Sequence, residues 1–423
     1  MSTPAVATTS SRWVRRSLAI WVLAIVVLYT LGVAAVASQV ARRPGSATAA
    51  TSGPAPVVNE PASTTPPTVP LQIAQNMLHG DVGLDGPPGG TDTVTRDGRS
   101  YDALSIGPIL PSLAFAPFPV LWPGARWVIA LAFGIAAALV CWPLAARYGP
   151  GGSATPWLAT LGAAGTLLLP LSVMGNYYYL AHQEAMLFTI VALLELKGRG
   201  RPWAIGLALG LAVLARPTVA LAIVPIGLYV VLGARQRLRS AIGMAIPVAA
   251  AAIVIGWYNL ARFGSPLDTG YATSILHNPT LVRARNIGLF SVRHVAPNLR
   301  VLLAGGFGLQ SSFPFVIPSS YGHSILLTTP ALVLAVRAGF RDRLVIVLWL
   351  SAAVVTVPLL LYYGGAGYQT YGFRYFLDVT PFLLALVALG ARQGFGPLAK
   401  ALVVLSVVLC AYGVFWGAFN GHF

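Results

Sequence analysis

The sequence predicts an all-α polytopic membrane protein with about eleven transmembrane helices and a long outer loop after the first. Three observations carry that expectation. Of 423 residues, 56% are apolar and only 9% charged, and the mean hydropathy is +0.74, far from the balance of a water-soluble domain. Several apolar runs reach the roughly 20 residues needed to cross about 30 Å of hydrocarbon. The 27 Lys and Arg outnumber the 11 acids, but they fall in short clusters between apolar runs. That pattern marks membrane topology and argues against a nucleic-acid partner.

Taken in order, residues 1–16 form a basic N-terminus with Arg12, Arg15 and Arg16, and 17–40 an apolar run. The run exceeds a typical signal core, so it reads as an uncleaved first span with its N-terminus in the cytoplasm. Residues 41–125 form an extracytoplasmic loop. Its first part, 41–68, is rich in Ala, Ser, Thr and Pro and reads as a tether whose one acid is Glu60. From Thr68 to His79, Val69, Ile73 and Met77 recur at helical spacing, which predicts a short helix lying on the membrane surface. The stretch 71–123 then holds five of the eleven acids: Asp81, Asp85, Asp92, Asp97 and Asp102.

Residues 106–122 are apolar but interrupted by Pro108, Pro111, Pro117 and Pro119. Charge places them. If they do not cross, spans fall near 126–147, 155–176, 184–197, 203–216, 217–233, 240–261, 323–337, 344–362, 374–391 and 398–419. Every cytoplasmic connection is then basic: Arg147; Lys197, Arg199 and Arg201; Arg235, Arg237 and Arg239; Arg337, Arg341 and Arg343; Arg392 and Lys400. Residues 126–419 thus form the multi-helix transmembrane domain, with an outer loop near 262–322 and a tail at 420–423. Cys141 and Cys410, the two cysteines, lie inside apolar runs and read as small apolar side chains.

This register gathers nearly all the acids on the outer side. Spans 203–216 and 217–233 meet at Ala215-Arg216-Pro217 with no loop, which predicts two short helices forming a re-entrant wedge with Arg216 at its tip. Arg216 suits phosphate binding there, and equally a snorkelling helix end. Arg374 and Asp378 stand four apart and read either as an internal ion pair or as an anion clamp with its orienter. His182 and Glu184 lie at an outer span end. Asp81 and Asp85 follow the surface helix among Gly80, Gly83 and Gly86, which let the backbone turn both carboxylates inward; such aspartates also serve to solvate a Gly-rich turn.

The segments LHGDVGLD, RDGRSYDALSIGPILPSLAFAPF, GLALGLAVLARPTVALAIVP, NLARFGSPLDTGY and YGFRYFLDVTPFLLAL, in that order over residues 70–390, are similar to those of bacterial GT-C membrane glycosyltransferases. These relatives include protein O-mannosyltransferases and lipid A aminoarabinose transferases. The resemblance implies a polyprenyl-phosphate-linked sugar as donor, transferred with inversion on the outer face of the cytoplasmic membrane. The acceptor is an envelope glycan, lipid or protein hydroxyl. It implies no bound cofactor and leaves a divalent metal open. One carboxylate serves as base and cations hold the departing phosphate.

The family's base precedes the surface helix, and here the one carboxylate in that neighbourhood is Glu60. The catalytic candidates are therefore Asp81 and Asp85, ahead of Glu60 because a helix end is better preorganised than a Pro-rich tether. The substrate-binding candidates are Arg216, Arg374, Tyr375, Asp378, His182, Glu184 and, from the segment like the family's Gly-Tyr-Tyr, Tyr101. Two other classes stay open: a transporter or flippase for a lipid-linked precursor, and a non-catalytic envelope-assembly protein.

Overall fold

A computed structural model describes residues 6–41, 69–85, 92–319, 321–367 and 370–420, and within them the chain is predominantly helical. The helices are α1 (Val6–Ala41), α2 (Val69–Leu78), α3 (Trp122–Leu139), α4 (Cys141–Tyr148), α5 (Ala154–Ala164), α6 (Leu168–Val173), α7 (Tyr177–Leu196) and α8 (Pro202–Ala215). Then come α9 (Ile223–Gly233), α10 (Arg237–Phe263), α11 (Pro279–Ile287), α12 (Val295–Ala304), α13 (Ile325–Thr328), α14 (Arg343–Leu361), α15 (Thr380–Gly390) and α16 (Pro397–Asn420).

Among the described residues six helices are long and apolar enough to cross a membrane: Val14–Gln39, Pro119–Tyr148, Tyr177–Leu196, Arg237–Phe263, Arg343–Leu361 and Pro397–Ala418. Three apolar helices are shorter: Pro202–Ala215, Pro217–Gly233 and Thr380–Gln393. Several of the expected spans are divided, two of them outside the apolar helices just named. Residues 155–176 divide into α5 and α6, and 323–337 into α13 and the 3-10 segment Pro330–Ala338. The protein is thus a multi-pass helical membrane protein. Its main core joins α1, α3–α7, α14, α15 and α16 around fully buried Tyr29, Tyr148, Tyr371 and Phe382. Tyr29 donates its hydroxyl to Ala163 O at 2.6 Å, satisfying a polar tip that hydrocarbon would leave unpaired.

Residues 107–121 form three 3-10 turns, Gly107–Ile109, Pro111–Ala114 and Pro119–Leu121, since the prolines remove the donors a continuous helix needs. The first two turns pack on α2, whose Val69, Leu71, Ile73 and Ala74 are buried. The apolar stripe of α2 is covered by protein, which buries it as lipid would.

Two short strand pairs appear in segments expected to be loop. β1 (Thr93–Arg96) pairs antiparallel with β2 (Arg99–Asp102), in the register Thr93 to Asp102 and Arg96 to Arg99. The turn is Asp97-Gly98, with φ of 51° and 74°, the left-handed pair that a two-residue hairpin demands. A second small pair, β3 (Gly308–Leu309) and β4 (Val316–Ile317), lies in the 262–322 loop.

Candidate functional site

Three chain segments converge on Asp378. The helix α8 ends at Ala215, Arg216 takes an extended conformation (φ −137°, ψ 97°), and Pro217 restarts a 3-10 turn that leads into α9. The break turns the Arg216 side chain towards the segment 374–378, itself a 3-10 turn ahead of α15. Asp378 Oδ2 accepts from Arg216 Nε at 3.0 Å and from Thr218 Oγ1 at 2.8 Å, and Oδ1 meets His182 Nδ1 of α7 at 2.8 Å. The carboxylate is buried, so a partner is required on each side. Both carboxylate oxygens are therefore engaged by neighbouring side chains.

Arg374 does not pair with Asp378 as a helical i, i+4 spacing would allow, because the intervening turn is 3-10. Its guanidinium lies 5.0 Å over the Tyr375 ring and 5.5 Å over that of Tyr179. Arg216 lies over the same Tyr375 ring, also at 5.0 Å. His182 packs on Tyr375 with centroids 5.6 Å apart. The structure thus brings Arg216, Arg374, Tyr375, Asp378 and His182 into one cluster. Among the described residues no carboxylate forms a direct ion pair with Arg374, and its buried Nε has no acceptor.

The carboxylate that reaches Arg374 electrostatically is Asp92, which was not among the candidates. Asp92 stands just before β1 in a left-handed conformation (φ 66°), uncommon for a residue with a side chain. Its N–H donates to Ile275 O at 2.9 Å, and its carbonyl accepts from Ala103 N at 2.9 Å. These bonds fix it between the hairpin and the 262–322 loop. Burial pushes its carboxyl up, and Arg374, Arg285 and a hydrogen bond from Tyr178 offset only part of this, leaving it at about 6. Asp102 ends β2, accepts from Leu104 N at 2.7 Å, and is pushed to about 7 by burial and by the charge of Asp92. The hairpin therefore sets two loop aspartates side by side with raised affinity for a proton. The signal in the sequence is the Asp97-Gly98 dipeptide within TVTRDGRSYD, a two-residue hairpin turn between alternating residues.

A cavity of about 210 Å³ opens beside this cluster, lined by Arg216, Thr218, Tyr258, Arg262, Tyr271, Tyr362 and Tyr375 among others. Arg262, at the end of α10, is buried and ties the loop to the bundle by donating to Leu104 O at 3.0 Å and to Asp102 O. Its ring neighbour Tyr258 lies 3.6 Å below the guanidinium. The walls are aromatic and cationic, which suits a sugar face and an anion.

The remaining candidates lie elsewhere. Asp81 pairs with Arg99 and accepts from Gly83 N at 3.0 Å. Burial raises it, but the Gly83 bond and Arg99 outweigh that and hold it below the usual carboxylate range. Asp85 is exposed and meets Asn76 Nδ2 at 3.4 Å. Asp81 is thus drawn to Arg99 at the hairpin's turn end and Asp85 back to Asn76 of α2, so both find partners within the loop. Tyr101 packs edge-on against Phe263, centroids 6.3 Å apart, and does not line the cavity. Glu184 is buried beneath Gly107, with Oε1 unpartnered, and joins no hydrogen bond of the Asp378 cluster. Glu60 lies outside the described residues. Among them, no group of three His, Cys, Asp or Glu gathers as a metal site would.

No family model matches this chain, and searches of curated proteins and of solved structures return no match.

Proposed function

We propose that this protein is an inverting membrane glycosyltransferase that takes its sugar from a polyprenyl-phosphate donor and passes it to an acceptor hydroxyl. The observation that carries the reading is the pairing of two guanidinium groups over one tyrosine, with a proton-seeking carboxylate in electrostatic reach of Arg374, beside an aromatic cavity that Arg216 and Tyr375 line. In the transfer, the acceptor oxygen bonds to the anomeric carbon as the bond from that carbon to phosphate oxygen breaks. The acceptor proton goes to Asp92, and the phosphate leaves with its charge held by Arg216 and Arg374. Phosphate is a good leaving group, so a protonating acid of the kind used in glycoside hydrolysis is not required. Asp378 holds Arg216 in place, and Thr218 and His182 hold Asp378.

In this reading the chain crosses the cytoplasmic membrane eleven times: the six long helices, the three shorter ones and the two broken segments at 154–173 and 325–338. The basic connections then face the cytoplasm and the cavity faces outward. Asp92 replaces Asp81 and Asp85 as base because it alone of the three adjoins both guanidinium chemistry and low-dielectric surroundings.

The experiment is mass analysis of envelope glycans from a deletion strain, complemented by the parent gene or by the Asp92→Asn variant. The expected result is loss of one sugar linkage, restored by the parent and not by Asp92→Asn. An unchanged glycan profile on deletion, or full restoration by Asp92→Asn, would remove the proposal.

A further inference from the structure

Between Asp268 and Asp342 the chain carries no acidic residue, yet 283–300 holds Arg283, Arg285, Arg293 and Arg300. Arg285 turns inward and donates to Ser274 O, anchoring the loop beside Asp92. The other three are exposed, and among the described residues none has a carboxylate partner. Under the eleven-span arrangement this loop lies outside, where arginines are not retained to set topology. They need another reason.

The depth of the segment in the membrane is legible from its bonds. Asn298 of α12 donates to Leu360 O at 2.9 Å and to Tyr362 O at 2.8 Å, the last carbonyls of the membrane-length helix α14. Ser291 N reaches Leu361 O at 2.9 Å, and Tyr363 N reaches Leu289 O at 3.0 Å. Residues 289–303 are therefore tied to the level at which α14 leaves the hydrocarbon. At that level α12 buries Asn298 and Leu302 against the protein and turns Leu299 and Leu303 outward, one helical turn apart. Phe290 and Val292 are more exposed still, at 59% and 79%. Apolar side chains bared at a span end, interleaved with unpaired arginines, match an element seated in the interface between acyl chains and headgroups. A solvated loop face would explain the arginines but not the bared leucines, phenylalanine and valine.

We propose that the 283–303 segment docks on anionic phospholipid. Arg283, Arg293 and Arg300 engage headgroup phosphates, and Phe290, Val292, Leu299 and Leu303 enter the acyl layer. Charge complementarity selects an anionic lipid over a zwitterionic one. Phe290 also lines the 210 Å³ cavity, so the docked segment forms its lipid-side lip. The proposal rests on the membrane reading and is independent of glycosyl transfer.

The test uses the full chain in phosphatidylcholine vesicles with and without phosphatidylglycerol. Cys141 and Cys410 are buried, so a fluorophore placed through Leu299→Cys, Val292→Cys or, as a control on the exposed face of α14, Leu350→Cys reports locally. At Leu299 and Val292 the fluorophore is expected in an apolar setting, quenched by nitroxide-labelled phosphatidylglycerol roughly threefold more than by labelled phosphatidylcholine. At Leu350 the two lipids should quench alike. Combined Arg283→Gln, Arg293→Gln and Arg300→Gln should bring the ratio at Leu299 to one, as should high salt in the arginine-bearing protein. Water-like emission, equal quenching with the arginines present, or a preference that survives both treatments would overturn the proposal. Relief of quenching by soluble polyphosphate, with no lipid preference, would assign the face to a soluble anionic polymer instead.

Discussion

Replacing Asp92 by Asn tests the proposed chemistry most directly, because its charge is costly where it sits and is the one the proposed transfer uses to take the acceptor proton. The shift from 3.8 to about 6 means that near pH 7 most of the carboxylate is ionised and able to accept a proton. At pH 5 most is protonated and idle, so transfer should fall about tenfold between pH 7 and pH 5. Loss of the base should lower transfer about 10²- to 10⁴-fold and flatten that limb of the profile. Arg374 is the cation that most favours the ionised form, so Arg374→Gln should move the midpoint to higher pH as well as weaken turnover. A stability effect of opposite sense accompanies this. Between pH 3.8 and 6 the folded chain holds the Asp92 proton more tightly than the unfolded chain does, so stability falls as pH rises through that window and is level above it. The fall is at most about 3 kcal/mol, less for the solvent that Asp92 still reaches, and it should vanish in Asp92→Asn. The assay is transfer from the lipid donor identified by the glycan analysis, with folding checked by thermal denaturation in detergent. A flat pH profile, or full activity in Asp92→Asn with loss in Asp81→Asn or Asp85→Asn, would refute the reasoning.

Three further outcomes are expected. Arg216→Gln should destabilise the chain by about 3–5 kcal/mol, since it strands the buried Asp378 carboxylate; thermal denaturation should show partial recovery in the combined Arg216→Gln and Asp378→Asn variant. Gly107→Ala should cost about 1–3 kcal/mol, because the new Cβ would lie 2.7 Å from Glu184 Oε2 and 2.8 Å from Ala215 Cβ; the same denaturation measurement checks it. Impermeant labelling of Asp97→Cys and Gly124→Cys should proceed from outside for both, as the non-crossing 106–122 segment requires. Labelling of Gly124→Cys from the cytoplasm alone would overturn the eleven-span arrangement.

Part of this protein was legible from its sequence alone. Composition determined the helical membrane class, because hydrocarbon admits few charges and demands internal pairing of backbone polar groups. The Ala215-Arg216-Pro217 break was readable too, since proline cannot continue the first helix and is suited to start the second. The interruption of any continuous helix over 107–121 followed from its prolines in the same way. These are local covalent facts, and local facts survive in a string of letters.

The site depended on contacts that cross the chain. Asp378 finds His182 from 196 residues away and Arg216 from 162, separations that no helical spacing encodes. The choice among the loop aspartates was likewise tertiary. Asp81 and Asp92 are both flanked by turn-forming residues, but the β1–β2 hairpin sends one to Arg99 and the other towards Arg374. The helix α2 has the same apolar stripe whether it lies on lipid or on protein, and only its packing on the 107–114 turns decided which. Hydrophobic burial and Coulomb attraction depend on distance, and the distances between remote segments exist only once the chain has folded.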